Sequence, residues 1–99
     1  MVSQTTLKNA AFAIEHDLFT DPDGSHYLVK DGAILRRWEP GADDGDSLRL
    51  AVCISGLNLQ WVIAEAWQAH DDRESRNAYV RESIVNIAAR IGESLKCQS

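Results

Sequence analysis

Three aspartates in one short run are the side chains best suited to bind a metal ion. Asp43, Asp44 and Asp46 lie almost side by side, and carboxylate oxygens are the ligands that Mg²⁺ and Ca²⁺ prefer. Their spacing does not match an EF-hand loop, which has acids at alternate positions and a glutamate at its twelfth. Helix capping explains the same run, because carboxylates stabilise the positive end of a helix. We therefore expect no metal and no cofactor, with a divalent-metal site at these aspartates as the weaker alternative.

The histidines and cysteines form no recognisable catalytic arrangement. His16 and His70 are each followed by an aspartate, but no histidine has the i, i+4 partner of a zinc-binding helix. Cys53 lies in an apolar helical pattern, where we expect an inert thiol, and both it and Cys97 are predicted to be reduced. The chain also lacks a nucleophile elbow and a glycine-rich phosphate loop. The sequence thus predicts a protein that is not an enzyme. A metal enzyme that uses the aspartates with His26 or His70 is the least favoured alternative.

Two of the elements that would position these residues are helices in the first half of the chain. The first is predicted over residues 3–19, and its apolar stripe consists of Leu7, Ala11, Ile14 and Leu18. The second begins in the acidic run, with Asp43 or Asp44 as its N-cap, and ends near Gly56. The acidic run is therefore expected to be the start of a helix.

The last helix is predicted from residue 72 or 73 to Lys96 and has the strongest periodicity of the chain. Its apolar stripe consists of Val80, Ile84, Ile87, Ile91 and Leu95. Its arginines are Arg73, Arg76, Arg81 and Arg90. Because these arginines are interleaved with acids, they indicate a solvent-facing surface with ion pairs rather than a basic groove.

Strands are predicted in two places. Asp31-Gly32 is a pair favoured in type I′ turns, so the β-prone residues on either side of it predict a hairpin over residues 26–38. Pro40 ends its second strand, because proline cannot donate to a ladder. A third strand is predicted over residues 57–66, where apolar and polar residues alternate. The expected fold is α+β with the order α-β-β-α-β-α, a three-stranded, mainly antiparallel sheet and helices packed on both of its faces.

The totals of the sequence exclude several classes of protein. With 99 residues, of which 44% are hydrophobic and 25% are charged, the chain is expected to form one compact domain over residues 1–99. A net charge of −5 argues against direct binding of nucleic acid. The chain contains no apolar run long enough to span a membrane and no secretory signal, so we expect a cytoplasmic protein.

Negative charge is concentrated in residues 21–46, which we call the acidic sector. Its acids are Asp21, Asp23, Asp31, Glu39, Asp43, Asp44 and Asp46, and its bases are Lys30, Arg36 and Arg37. Such a sector can attract a basic partner, and Asp21, Asp23 and Asp31 are the predicted contacts. The alternative is that the sector only keeps the protein soluble.

The three tryptophans are the residues most typical of a protein interface. Trp61 alternates with apolar positions and is predicted to lie in the core. Trp38 and Trp67 are the candidates for partner binding, since tryptophan is frequent among interface anchors. For both residues, a position in the core is the alternative.

Four sequence pieces carry a resemblance to a known group of proteins. They are Trp38-Glu39-Pro40, Asp43-Asp44-Gly45-Asp46, Leu48-Arg49-Leu50-Ala51 and Ile84-Val85-Asn86-Ile87-Ala88-Ala89-Arg90-Ile91-Gly92. In this order they resemble a group of short proteins encoded by bacteriophages and prophages, and the likeness covers about residues 26–95. The resemblance implies a compact domain with helices on either side of a small sheet. It supplies no functional residue.

The expected function combines this resemblance with the charge and tryptophan patterns. We expect a non-enzymatic phage or prophage accessory protein that binds a host protein in the host cytoplasm, and inhibition of a bacterial defence nuclease is one concrete form. The alternative is a homo-oligomeric structural or morphogenetic phage protein, such as a homodimer. This alternative is motivated by the apolar surplus on the second helix.

Overall fold

The computed structural model describes residues 2–98 of the chain, which form four helices and one antiparallel sheet of three strands in the order β1-β2-β3. The α+β class predicted from the sequence is confirmed, whereas the order of elements is α-β-β-β-α-α-α. The elements are α1 (Gln4–Ala13), β1 (Asp17–Thr20), β2 (His26–Lys30), β3 (Ala33–Arg37), α2 (Asp44–Cys53), α3 (Leu59–Ala69) and α4 (Arg73–Gln98).

Helix α4 is the element on which the other three helices pack. Its closest neighbour is α1, because the facing residues are small. Ala10 and Ala11 of α1 and Ala88 of α4 are completely buried. A Cβ atom added at Gly92 would overlap the backbone carbonyl oxygen of Asn9. The glycine therefore lets the two helix backbones approach at a distance that no side chain would permit.

The predicted hairpin is confirmed in its turn and in its strands. Asp31 and Gly32 have φ values of 53° and 81°, as a type I′ turn requires. Leu28 of β2 faces the core, but β3 is exposed along its whole length. Its neighbouring residues Ile34 and Leu35 are both exposed. The expectation that helices cover both faces of the sheet is therefore wrong at β3.

The first helix is shorter than the sequence predicts. It ends at Ala13, Glu15 adopts a positive φ of 64°, and Asp17–Thr20 becomes strand β1, which pairs with β2. Leu18 explains the error, because it continues the helical stripe of Ile14 and also fits a strand as the partner of Leu28. Pairing with the hairpin decides between the two.

The predicted third strand is wrong, because residues 59–69 form helix α3. Asn58 caps it by accepting a hydrogen bond from the backbone N–H of Trp61 at 3.0 Å. Val62 and Ala66, one helical turn apart, are the buried residues of this helix. The alternation that suggested a strand comes from side chains that lie mostly on the surface, so it carries no information about burial.

Candidate functional site: an apolar groove with an arginine rim

The acidic run forms the N-cap and the first turn of α2. Asp43 is the N-cap, as predicted, and accepts the backbone N–H of Asp46 at 2.8 Å. The carboxylate of Asp46 is buried, where it accepts the backbone N–H of Glu39 at 2.9 Å and an Arg49 guanidinium N–H at 2.7 Å. The carboxylates of Asp43 and Asp46 are therefore engaged by backbone donors and a guanidinium. Within residues 2–98, no group of three His, Cys, Asp or Glu side chains is arranged to hold a metal ion.

The predicted contact acids of the acidic sector do not lie together in one cluster. The side chain of Asp21 stabilises the turn that follows it. Its Oδ1 accepts the backbone N–H of Asp23 at 3.1 Å and of Ser25 at 2.9 Å. Asp23 and Asp31 are exposed, but they lie in the turns at opposite ends of β2. Because β2 has five residues, these turns are separated by about 15 Å.

The histidines each have a local partner. His16 Nδ1 lies 2.6 Å from the carbonyl oxygen of Ile14, and His26 Nδ1 lies 2.8 Å from the hydroxyl of Thr20. The His70 ring packs against Tyr79.

The two cysteines are free and exposed. The expectation that Cys53 is packed among apolar residues is therefore wrong, because its position on α2 faces outward.

Two of the three tryptophans, Trp38 and Trp61, occupy environments that differ from the prediction. Trp38 is 1% exposed and lies in the core, so it is not a surface anchor. Trp61, predicted to be in the core, is 63% exposed. Trp67 is 62% exposed and carries the guanidinium of Arg76 over its ring at 3.6 Å. Among the three, Trp67 combines exposure with a charged neighbour, as tryptophans of interfaces often do.

A groove with a volume of about 470 Å³ lies between α2, α3 and α4, and Trp67 forms part of it. We call it the helical groove. Its apolar walls and floor are formed by Leu48 of α2, Leu59, Ile63, Ala66 and Trp67 of α3, and Val80 and Ile84 of α4. The wall residues Leu48, Ile63 and Trp67 are themselves exposed. The groove is thus an open apolar channel and not an enclosed cavity.

Three arginines of α4 lie along the helical groove, and one acid faces them. Arg81 donates to Asp44 at 2.6 Å and to the carbonyl oxygen of Gly41 at 3.2 Å, which ties α4 to the start of α2. The Nε of Arg76 donates to the carbonyl oxygen of His70 at 2.9 Å. Arg73 is exposed and has no hydrogen bond or ion pair through its side chain to another described residue. With Asp44 paired to Arg81, Arg73 and Arg76 give the groove a positive rim.

A buried hydroxyl on the α2 side of the groove has no hydrogen-bond partner. Ser47 lines the groove and is 3% exposed, and its Oγ is unpartnered among the described residues. An unsatisfied buried hydroxyl is unfavourable. The α2 side of the groove therefore contains a buried polar atom whose hydrogen-bonding capacity is not used within the described residues.

One titratable group close to the groove has a shifted pKa. Asp72 precedes α4, and its carboxylate accepts the backbone N–H of Ser75 at 2.9 Å. This hydrogen bond, with a second one to the Ser75 side chain, lowers the pKa of Asp72 below its ordinary value of 3.8. Asp72 is thus held as a carboxylate at the positive end of α4.

The helical groove was missed because the arginines of α4 suggested an ion-paired solvent face. Arg73, Arg76 and Arg81 instead lie along the groove, whereas Arg90 lines a separate cavity on the other side of α3. The sequence did hold a signal, because Arg73, Arg76, Val80 and Ile84 recur at helical spacing on one face. That signal has meaning only once α3 is known to be a helix that packs beside it.

Comparison of the chain with protein-family models, with curated proteins and with solved structures finds no match. The resemblance to phage and prophage proteins therefore stays a prediction. Among residues 2–98, no helix combines the length and the apolar character needed to cross a membrane.

Proposed function

We propose that this protein is a non-enzymatic binding domain that contacts another protein through the helical groove. The observation that carries the proposal is the exposed apolar wall formed by Leu48, Ile63 and Trp67. Contiguous exposed apolar side chains bordered by charges are typical of protein-interaction sites.

The resemblance to phage and prophage proteins supports a host protein as the partner of this accessory protein, and a component of a bacterial defence system is one such partner. Contact with a basic partner through the acidic sector receives less support. The carboxylates of Asp21, Asp43 and Asp46 accept hydrogen bonds within the chain, and Asp44 pairs with Arg81. The groove is therefore the proposed contact surface.

Affinity capture from a bacterial lysate tests this proposal with a matched pair of variants. Trp67→Ala removes a wall of the groove, and Trp61→Ala removes an equally exposed tryptophan of the same helix outside it. We expect the wild type and Trp61→Ala to retain the same host protein and Trp67→Ala to lose it, with circular dichroism to show that all three are folded. The proposal fails if no host protein is retained, or if Trp67→Ala retains it as well as the wild type does.

Self-association is a second candidate, supported by a different apolar surface. Leu35 of β3, Val52 of α2 and Leu95 of α4 are all exposed around one cavity, and Val52 is 75% exposed. Two copies could cover these residues in a homodimer or a larger assembly. Sedimentation of the wild type and of Val52→Asp at micromolar concentration tests this candidate. A wild-type dimer that Val52→Asp converts to monomer supports it, and a wild-type monomer refutes it.

A further inference from the structure

We infer that the helical groove accepts an amphipathic α-helix whose polar flank carries carboxylates. This inference rests on the proposed function, since it names the class of partner segment for the same groove. Three features support it: the open walls, the backbone of the surrounding elements, and the charge of the rim.

The openness of the groove favours a segment of a protein over a small molecule. Its volume of about 470 Å³ is in the range of small-molecule sites. Such sites enclose most of their ligand, whereas Trp67, Leu48 and Ile63 are 62%, 57% and 42% exposed. A small molecule on the floor would leave these walls in water. A protein segment wide enough to span the groove would cover them and so gain their burial.

The elements around the groove determine the conformation of that segment. The groove lies between three helices, whose backbone N–H and C=O groups bond within each helix. An added strand needs free backbone partners along its length, and this groove offers only side chains. A helix satisfies its own backbone and contributes apolar side chains at i, i+3, i+4 and i+7. A helical partner therefore fits the groove better than an extended one.

The rim determines the charge of the segment. Arg73 and Arg76 lie on the α4 side, and neither has a described carboxylate partner. The guanidinium of Arg76 is stacked over Trp67 at 3.6 Å, directly beside the apolar wall. A helix whose apolar stripe enters the groove would place its flanking residues next to these two guanidinium groups. Carboxylates there would form charge-assisted hydrogen bonds, whereas ammonium groups would be repelled.

Three designed peptides test the inference on the full chain. They share one leucine stripe at helical spacing and carry Glu, Gln or Lys at the flanking positions, and fluorescence anisotropy measures their binding. We expect the Glu peptide to bind about tenfold more tightly than the Lys peptide, as about 1.4 kcal/mol of charge complementarity would give. This preference should shrink in 1 M NaCl, where the Debye length is only about 3 Å.

Variants of the rim give the matched controls. Arg73→Glu, which breaks no described contact, should abolish the preference for Glu, and Arg73→Glu with Arg76→Glu should reverse it. Arg90→Glu changes the charge of the chain equally on the same helix but outside the groove, so the preference should persist. The inference is overturned if no peptide binds, if the three peptides bind equally, or if Arg73→Glu and Arg90→Glu behave alike.

The lysate experiment separates this inference from the proposed function. Capture of a host protein that depends on Trp67, together with peptides that show no charge preference, would retain the groove as a binding surface and reject the acidic helix. Capture that does not depend on Trp67 would reject the proposed function itself, whatever the peptides do.

Discussion

Helices α1 and α3 both pack on α4, yet they bury their apolar residues to very different degrees. On α1, Leu7, Ala10 and Ala11 are buried, and the α1 backbone at Asn9 lies directly against Gly92 of α4. On α3, Val62 and Ala66 are buried, while both of its tryptophans and Ile63 remain exposed. The α1 contact is thus complete within one chain, whereas α3 carries more apolar surface than α4 covers. This difference indicates that α1 serves the stability of the fold, and it supports the proposal that α3 contacts another molecule.

The largest expected effect on stability comes from disrupting the close packing of α1 on α4. Gly92→Ala would place a Cβ atom against the backbone carbonyl of Asn9, and a backbone cannot yield as a flexible side chain can. We expect a loss of about 3 kcal/mol in the free energy of unfolding, at the upper end of overpacking effects. Urea denaturation measures it, with the exposed Ser94→Ala as the control. A loss below about 0.5 kcal/mol, ordinary for a surface change, would show that the helices are not in close contact.

Loss of the α3 cap should destabilise α3 locally and leave the rest of the fold protected. Asn58→Ala removes the hydrogen bond to the Trp61 backbone N–H, and we expect a cost of about 1 kcal/mol. Because α3 packs on α4 through few buried residues, hydrogen exchange should accelerate in α3 alone. Ser3→Ala removes the corresponding cap of α1 and should accelerate exchange across the core. Equal acceleration everywhere in both variants would contradict the contrast between the two helices.

The exposed tryptophans of α3 should contribute little to folding. We expect Trp61→Ala to change the free energy of unfolding by less than about 0.5 kcal/mol. Trp67→Ala should cost up to about 1 kcal/mol, because it also removes the contact with the Arg76 guanidinium. Guanidinium chloride denaturation distinguishes the two. A cost of several kcal/mol at Trp61 would mean that the outer face of α3 is part of the core.

Removal of the unpartnered hydroxyl of Ser47, on the α2 side of the helical groove, should stabilise the protein. Ser47→Ala deletes a buried Oγ that has no described hydrogen-bond partner and places a better helix former in α2. We expect the protein to gain about 0.5 kcal/mol. Thermal unfolding followed by circular dichroism measures the change. A loss of stability would show instead that the hydroxyl is satisfied in solution.

The smallest expected effect is a pH dependence at the start of α4. Because the folded pKa of Asp72 is lowered, its contribution to stability is present above the ordinary pKa of 3.8 and is lost as the pH falls through the lower folded value. The wild type should therefore lose stability relative to Asp72→Asn below about pH 4. Thermal midpoints of both proteins from pH 7 to pH 2.5 test this. Parallel curves would contradict it.

The sequence predicts those parts of the molecule whose signal is local. The Asp31-Gly32 turn, the Asp43 cap and the stripe of α4 are each specified by the residues that form them. The structure of residues 17–20 and 59–69 differs from the prediction, because their apolar residues fit both a helix and a strand. Packing against distant elements decides their structure, and a single sequence does not contain that information.

The helical groove could not be predicted for the same reason. Its walls come from three helices, and one of them was expected to be a strand. The prediction of Trp38 and Trp67 as equivalent candidates failed because Trp38 follows β3 into the core, with its backbone N–H bonded to His26. Trp67 stayed a candidate since it lies on a helix with few buried residues.

The irregular pairing of β2 with β3 has a consequence for how copies of this protein meet. Val29 pairs with Ile34 and Leu28 with Arg36, so Leu35 is an extra residue on the edge strand. Bulges and positive charges on an edge hinder the docking of a further strand, and Arg36 and Arg37 supply the charges. The β3 edge is thereby a poor site for the addition of a further strand, although β3 is fully exposed. Any assembly of this chain should therefore proceed through side-chain contacts, such as those of Leu35, Val52 and Leu95, and not through the addition of a strand at β3.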